Sequence, residues 1–444
     1  MAGAMGTKTA MTRTFSRRTL LSGAAVTVGT ALLAACGGTN GAGSAASTPA
    51  ASGPETDATP VAKNAAPVGD GTPVAASPTG TGAGGGAVVE TTGGGYVGYV
   101  YVLTNTQQNA VAVWGRAADG RLTALNTFAT GGAGIGDQED GEALGSQSAL
   151  TMSADGRYLY AVNGGSGDIS AFSVAGGQLT LLGRIGSNGP RPISLTIAGN
   201  VMYVLNNDRQ AGTAGNITGF VLTNGRPAPL AGSTRTLSSN NPVDPGQVQF
   251  SPDGKVLLVP EKKTNCIVVY VVGTNGLVTS ARVWEIASLT PFALAFGNGG
   301  TVVTADANGD RMGEATASSH KVFTDGTLTF ASRPVANGQT ASCWVAVSPN
   351  GQWTYTANFL SQTLTGYRIS DDGALTMLYA NGVSARTNAG TRDVGFTPDG
   401  RYLYALNTLA GTVSGFAVAG NGALTPVGEF GKLNYTGADG MVVR

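Results

Sequence analysis

The chain has 444 residues, and its 26 lysines and arginines are balanced by 26 aspartates and glutamates. A net charge of zero gives no electrostatic reason to expect a nucleic acid as partner. Hydrophobic residues make up 42% of the chain, which is enough for a core and excludes global disorder. No apolar run past residue 40 reaches the roughly 18 residues of a membrane span, so a multi-span membrane protein is also excluded.

The first 36 residues have the pattern of an export signal. The pair Arg17-Arg18 precedes a short apolar stretch that ends at Cys36. Paired arginines before such a stretch are typical of the twin-arginine route, which exports folded proteins. The ending Leu-Ala-Ala-Cys resembles a bacterial lipobox, so we expect a lipid on Cys36 and a position on the outer face of the cytoplasmic membrane. The alternative is an ordinary cleaved signal in which Cys36 has no role.

Residues 37–94 consist almost entirely of Gly, Ala, Ser, Thr, Pro and Val, and they show no apolar periodicity. Such a segment cannot bury enough surface to offset chain entropy. The sequence therefore predicts a disordered tether over residues 37–94 and one folded domain over residues 95–444.

The folded domain is built from repeats. The segment Ser153–Asn163 returns as Thr397–Asn407, and looser copies begin at Ser251 and Ser348. Within each copy, apolar residues alternate with small or hydroxyl-bearing ones, which indicates strands. Asp-Gly and Asn-Gly pairs supply the tight turns between them. Each repeat is therefore predicted to be a four-stranded antiparallel meander.

The spacing of the repeats predicts the architecture. The residue that ends the second strand recurs about every 50 positions, at Asn105, Asn163, Asn206, Glu261, Asp306, Asn358 and Asn407. Units of this length and strand count stack radially, so seven of them predict an all-β, seven-bladed β-propeller. The first unit lacks its innermost strand, and residues 436–443 look like a single innermost strand. We expect this C-terminal strand to complete blade 1 and close the ring.

This pattern of Pro-Asp-Gly-Arg-Tyr-Leu-Tyr-type units resembles the lactonase family of seven-bladed propellers, which includes 6-phosphogluconolactonase and the carboxymuconate-lactonizing enzyme. The resemblance covers about residues 95–444. It implies an exported hydrolase that acts on a small anionic or sugar-derived lactone at the mouth of the central channel. The family places a His and two Arg at the starts of innermost strands and a Glu at the end of a second strand. Arg392 and Asp306 stand at the positions of the second Arg and the Glu, whereas Gly246 and Phe292 replace the His and the first Arg.

Lactone hydrolysis needs a base that activates water and a donor that stabilises the developing oxyanion. Asp306 is the candidate base and Arg392 the candidate anion clamp, and Glu261 is a further carboxylate that could reach the same mouth. The alternative is that these three residues are rim charges in mutual pairs. The residues predicted to bind the substrate open other innermost strands: Gln147, Arg191, Gln247 and Trp344.

Other chemistry has weaker support. His320 is the single histidine, so a Ser-His-Asp triad would have to use it as base, and it lies in a predicted outer strand. The run Asp306–Asp310 begins like a calcium loop, but Arg311 and Ala317 stand where such a loop needs Gly and Glu. We expect no metal and no cofactor.

A second function remains open at this point. The loss of two of the four family positions also fits a non-catalytic cell-surface propeller that binds a glycan, a peptide or a partner protein. In both interpretations we expect a monomer that contacts the membrane only through its lipid. A channel mouth closed by the loop at residues 131–146 would argue against both.

Overall fold

The computed structural model describes residues 95–136, 144–207, 214–431, 433 and 435–444. The predicted signal, the lipidation site Cys36 and the tether lie outside the described residues. The helices in the described part are the short 3-10 turns Asn298–Gly300 and Asn308–Asp310, and neither is long enough to cross a membrane.

The described residues form seven antiparallel sheets, one for each predicted blade. Blades 1 to 4 contain the following strands in chain order: β1 (Gly98–Leu103), β2 (Ala110–Arg116) and β3 (Leu122–Ala129); β4 (Leu150–Met152), β5 (Tyr158–Asn163), β6 (Asp168–Ala175) and β7 (Gln178–Gly186); β8 (Pro192–Ala198), β9 (Val201–Asn206), β10 (Asn216–Thr223), β11 (Arg226–Pro229) and β12 (Arg235–Thr236); β13 (Gln249–Phe250), β14 (Val256–Glu261), β15 (Cys266–Val271) and β16 (Arg282–Glu285).

Blades 5 to 7 and the closing strand follow: β17 (Pro291–Phe296), β18 (Thr301–Asp306), β19 (Thr316–Val322) and β20 (Leu328–Ala336); β21 (Ser342–Val347), β22 (Trp353–Asn358), β23 (Thr363–Ile369), β24 (Leu375–Met377) and β25 (Ala385–Arg386); β26 (Thr391–Phe396), β27 (Tyr402–Asn407), β28 (Thr412–Val418) and β29 (Leu424–Phe430); and β30 (Met441–Val443). Blades 3 and 6 depart from the prediction in one detail, because their outermost strand is split into two pieces that both pair with the third strand.

The ring closes as the sequence predicts. The C-terminal strand β30 pairs antiparallel with β1, with Val442 opposite Tyr101. Tyr99 and Arg444 extend this pairing by one residue pair, because the N–H of each donates to the carbonyl of the other at 2.8 Å. Blade 1 therefore takes its innermost strand from the end of the chain, which joins the first and last blades without a free sheet edge.

The core lies between neighbouring blades, and one repeated position fills much of it. A large aromatic side chain stands at the same register of the third strand in six blades: Trp114, Phe172, Phe220, Tyr270, Tyr367 and Phe416. In blade 5 this register position holds His320, opposite Val302 on β18. His320 is buried, so the single histidine has replaced a core aromatic residue.

The two ends of the central channel have different chemistry. We call the end where the innermost strands begin the upper face, and the end where they finish the lower face. Lower-face turns are satisfied locally: the Asp155 carboxylate accepts hydrogen bonds from Ser153 Oγ at 2.6 Å and from Arg157 N at 3.1 Å. The same turn recurs at Ser251–Asp253, Ser348–Asn350 and Thr397–Asp399.

Candidate functional site

Arg392 lies at the start of β26 on the upper face, and its partner comes from the other end of the ring. Its Nη1 is 3.2 Å from Oδ2 of Asp439, which precedes the closing strand β30, and both side chains are buried. The guanidinium carbon is 5.7 Å from the ring centroid of Trp344 and 5.4 Å from that of Phe359. A cation held between aromatic faces and away from water exerts a stronger field than one in solvent.

A second ion pair lies at the same face. Nζ of Lys262 is 3.3 Å from Oδ1 of Asp244, and neither side chain is exposed to solvent. Nζ also donates a hydrogen bond of 2.9 Å to the carbonyl of Gly145 and lies 4.7 Å from the ring centroid of Phe292. Phe292 stands where the resemblance places an Arg. Lys262, which follows β14 of blade 4, thus places a positive charge near the position where the resemblance has this Arg.

A third carboxyl group adjoins the first pair. Asp393 follows Arg392 on β26, and its Oδ2 accepts a hydrogen bond of 2.6 Å from the backbone N–H of Gly440. Its side chain also lies within hydrogen-bond reach of Asp439. Burial and the neighbouring Asp439 carboxylate raise the pKa of Asp393 well above its usual range. Burial also raises the pKa of Asp439, and the adjacent Arg392 guanidinium opposes this rise. Two buried carboxyl groups therefore lie side by side next to one arginine.

Gly246 excludes the family histidine for a steric reason. A Cβ placed on Gly246 would overlap the carbonyl oxygen of Phe292. The backbone of Gly246 is committed on both sides, since its N–H donates to Pro260 O and its carbonyl accepts from Gln147 N. Blade 4 has closed against blade 5 at the point where the family has a side chain.

Three of the predicted substrate-binding residues make hydrogen bonds to other blades. Gln147 exchanges hydrogen bonds with the backbone of Val345, at 2.9 and 3.1 Å. Gln247 Oε1 accepts from the backbone N–H of Leu294 at 2.7 Å. Trp344 Nε1 donates to the carbonyl of Ser146 at 2.9 Å. These polar atoms tie blades 2, 4, 5 and 6 together, and the predicted role of these residues in substrate binding stays a prediction.

Arg191, the fourth predicted binding residue, is buried just before β8, and its carbonyl accepts a hydrogen bond of 2.8 Å from Asn207 N. The described residues that precede β4 cover part of the upper face. Leu144 and Gly145 are buried, and Gly145 and Ser146 accept the hydrogen bonds of Lys262 and Trp344. The described end of the 131–146 loop, Leu144–Ser146, therefore lies at the upper mouth, and a mouth closed by this loop was named above as evidence against both functions.

Asp306, the predicted base, points into its own blade. Its Oδ2 accepts hydrogen bonds from Ser318 Oγ at 2.8 Å and from Thr316 Oγ1 at 3.3 Å, both on β19. Burial raises the pKa of Asp306 to about 7, against the opposing effect of these hydroxyl donors. The hydrogen bonds of Asp306 among the described residues do not include Arg392. Its catalytic role stays a prediction, and its contacts give it a structural task in blade 5.

Glu261 is held in the same way in blade 4. Its carboxylate accepts hydrogen bonds from the backbone N–H of Ser238 at 2.9 Å and from Thr264 Oγ1 at 2.6 Å, and also from Ser238 Oγ. The equivalent Asn163 donates to Ser170 Oγ at 2.8 Å and accepts from Thr130 Oγ1 at 2.7 Å. The end of the second strand is therefore a repeated polar tie within and between blades, whether it carries an amide or a carboxylate.

The cavities in the described residues include several at the lower face, away from these ion pairs. One of about 480 Å³ lies between the turns of blades 4, 5 and 6 and contacts Phe296, Phe323 and Val347. The charged residue in its lining is Asp253, whose carboxylate already accepts hydrogen bonds from Ser251 Oγ and Lys255 N. This lower-face cavity therefore has room for a ligand, but its carboxylate is already used by the turn.

Comparison with known proteins agrees with the propeller fold. The family model described as "Lactonase, 7-bladed beta-propeller" matches residues 89–219. The predicted resemblance to the lactonase family is confirmed. A search of curated proteins finds no match to this sequence.

The solved structures similar to this lactonase-like propeller support the fold. One, from Bacteroides fragilis and provisionally described as a 6-phosphogluconolactonase, is 21% identical, with a TM-score of 0.62 over 78% of this chain and 98% of that one. Another, the periplasmic gluconolactonase of Pseudomonas aeruginosa, is 16% identical, with a TM-score of 0.59 over 78% of this chain and 98% of that one. At such identities the likeness shows a common fold and assigns no substrate.

Sequence reasoning missed four charged residues of this lactonase-like propeller: Lys262, Asp244, Asp393 and Asp439. All four lie at the same repeat positions as the predicted site residues, either at the start of an innermost strand or just after a second strand. A comparison of charged residues at those two positions in all seven repeats would have found them. It would not have shown which of them pair.

Proposed function

We propose that this chain is a lactone hydrolase whose site is the upper end of the central channel. The family match and the propeller fold support a hydrolase of the lactonase type. The observation that carries the choice of site is Arg392, which stands at a position that the resemblance reserves for arginine and is held among aromatic rings by Asp439. Lys262 adds a second cation at the same face.

The arrangement suits the chemistry of ester cleavage. Attack of water on a lactone carbonyl places negative charge on the carbonyl oxygen, and pre-positioned cations stabilise that charge best where water is excluded. Trp344 and Phe292, with ring centroids 4.8 Å apart, offer an apolar surface beside the two cations.

Substrate access is the demanding step in this proposal. Arg392, Asp439 and Trp344 are buried, so a lactone must displace the residues that cover them. The described part of that cover is Leu144–Gln147, which is held to the site by the hydrogen bonds to Lys262 and Trp344. We expect binding to include a rearrangement of this segment.

Export by the twin-arginine route and a lipid on Cys36 are part of the same proposal. The chain enters the propeller at Gly98, where β1 begins at the lower face. A flexible tether over residues 37–94 would hold the propeller away from the membrane without fixing its orientation.

The alternative of a non-catalytic binding propeller keeps specific support. Gly246 and Phe292 replace two of the four family residues, and Gln147 and Gln247 use their polar atoms on other blades. A binding propeller predicts a folded protein that hydrolyses no lactone.

The deciding experiment measures hydrolysis by the purified full-length chain in a pH-stat. The panel contains sugar lactones, phosphorylated sugar lactones and carboxylated muconolactones. Loss of an oxyanion donor typically costs a factor of about 100–1,000 in turnover, so we expect at least a 100-fold fall in kcat/KM for Arg392→Ala and Arg392→Lys. The lysine variant keeps the charge opposite Asp439 and guards against loss of folding.

Arg401→Ala is the matched control, because Arg401 lies on the lower-face turn of the same blade and contacts the Tyr402 ring. Its turnover should equal that of the unmodified chain. Unchanged turnover in a folded Arg392 variant would remove Arg392 from the site. Absence of turnover on every lactone, from a demonstrably folded protein, would favour the binding propeller.

A further inference from the structure

The upper face contains a pair of carboxyl groups that neither the sequence analysis nor the family positions identify. Asp393 lies on the innermost strand β26 and Asp439 lies just before the closing strand β30; both are next to Arg392 and both are buried. The Asp439 carboxyl lies beside the Asp393 carboxyl and the Gly145 backbone, and its Oδ1 has no hydrogen-bond partner of normal geometry among the described residues. Buried carboxylate oxygens normally have a partner, so an open lone pair beside an arginine marks a place for a ligand proton.

We propose that Asp439 and Asp393 are the general base and the general acid of the lactone hydrolysis that occurs beside Arg392. This inference rests on the proposed function. It assigns the general base to Asp439 in place of the predicted base Asp306, and it leaves the proposed role of Arg392 unchanged.

The charges divide the two roles. Arg392 contacts Oδ2 of Asp439 at 3.2 Å, which favours the ionised form of that carboxyl. Two adjacent buried carboxyl groups cannot both ionise cheaply, so the second, Asp393, keeps its proton. The Gly440 N–H bond to Oδ2 of Asp393 fixes its orientation toward Asp439. A base and an acid are thus poised side by side.

The reaction balances without any further reactant. The oxygen of water attacks the lactone carbonyl carbon, and the Asp439 carboxylate takes one proton of that water. The resulting oxyanion lies against Arg392. When the ring C–O bond breaks, the leaving alkoxide takes the proton of Asp393. The proton on Asp439 then crosses to Asp393 and restores the starting state, and the product is the open hydroxy acid.

Asp393→Asn is the decisive substitution. An asparagine mimics a protonated aspartate, because it can accept from Gly440 N and donate to Asp439 without changing the charge of the site. It cannot give up a proton to an alkoxide. The variant should therefore fold normally and lose a factor of about 100–10,000 in kcat on an aliphatic lactone, the usual contribution of general acid catalysis, with little change in KM.

The leaving group distinguishes the two carboxyl groups. An aryl lactone such as dihydrocoumarin leaves as a phenolate, whose conjugate acid has a pKa of about 10, like tyrosine, so it needs little help from an acid. We expect Asp393→Asn to recover most of its activity on this substrate. Asp439→Asn, which lacks the base, should remain impaired by a similar factor on both substrates. A merely structural role for either residue would not produce this difference.

Asp399→Asn serves as the control. Asp399 lies in the lower-face turn of the same blade, and blade 6 carries Asn350 at the equivalent position, so its activity should match that of the unmodified chain. If the unmodified chain is active and Asp393→Asn keeps its activity within a factor of about five on the aliphatic lactone, the carboxyl pair is not the acid–base pair and the proposed function still stands.

A measurement without substrate tests the carboxyl pair even if the chain hydrolyses no lactone. The infrared band of a protonated carboxylic acid at pH 7, taken as the difference between the unmodified chain and Asp393→Asn, reports the shared proton directly. Its absence overturns the proposal even if the enzyme is active. Its presence in a chain that hydrolyses no lactone would confirm the proton on Asp393 while refuting the proposed function and, with it, the catalytic role.

Discussion

The two faces of the central channel are built by different rules. At the lower face each turn satisfies its own polar groups, as in Thr397, whose hydroxyl contacts Asp399 and receives the N–H of Tyr402. At the upper face several polar contacts join different repeats, as between Arg392 and Asp439 or between Trp344 and Ser146. The hydrogen bonds of the lower-face turns can thus be predicted from a single repeat. The contacts between repeats at the upper face can be recognised only in the assembled ring.

The first prediction concerns the buried ion pair between Lys262 and Asp244 at the upper face. Lys262→Met removes the ammonium and leaves the Asp244 carboxylate buried without its lysine. Loss of one partner of a buried ion pair typically costs about 3–5 kcal/mol, so we expect the free energy of unfolding to fall by that amount. Denaturant-induced unfolding at neutral pH measures it.

Two further variants test the cause. Lys262→Met combined with Asp244→Asn removes both charges and should regain much of the loss; asparagine tolerates the positive φ of 51° at position 244. Lys255→Met, on the exposed lower-face turn of the same blade, should change stability by about 0.5 kcal/mol or less. A near-neutral Lys262→Met would show that the upper-face pairs do not hold the ring together.

This difference explains what could be predicted from the sequence. The blades were predictable because Ser153–Asn163 and Thr397–Asn407 repeat the same local chemistry, and the closing strand followed from a missing strand in blade 1. Arg392 was found through the resemblance. Asp439 was not, because an ion pair between residues 47 positions apart in sequence leaves no local pattern.

The second prediction concerns His320, which replaces the repeated aromatic residue in blade 5. Burial lowers the pKa of His320 to about 4, whereas an unfolded histidine titrates near 6.5. The unfolded chain therefore binds the extra proton first, and stability should fall as the pH drops from about 6.5 to 4, by up to about 3 kcal/mol. His320→Phe, which restores the residue of the other blades, should remove this loss.

The free energies of unfolding of the unmodified chain and of His320→Phe, each measured at pH 7 and pH 4.5, test this prediction. Other groups titrate in the same interval, but they are common to both chains, so the difference between His320→Phe and the unmodified chain isolates the histidine. Equal pH dependence in the two chains would mean that His320 is hydrated or paired in solution.

The third prediction tests whether Asp306 serves the fold of its blade or the reaction. Its position is equivalent to Asn358, which donates to Thr363 and Thr365 where Asp306 accepts from Thr316 and Ser318. Because the pKa of Asp306 is raised to about 7, the folded state holds a proton that the unfolded chain releases near pH 3.8. Stability from this group is thus full at low pH and is lost as the pH rises toward and through 7. Asp306→Asn stays neutral, so at pH 8 it should be more stable than the unmodified chain by up to about 4 kcal/mol, and near pH 4 the two should be alike.

Turnover of Asp306→Asn completes the argument. If Asp306 is one of the repeated ties of the blades, the variant hydrolyses lactones as well as the unmodified chain, because an amide in that position already holds blades 2, 3, 6 and 7. If it is the general base, turnover is lost even though the variant is more stable. A gain in stability with full activity would assign the carboxylate to the fold and leave Asp439 as the base, whereas loss of activity would return the base to Asp306.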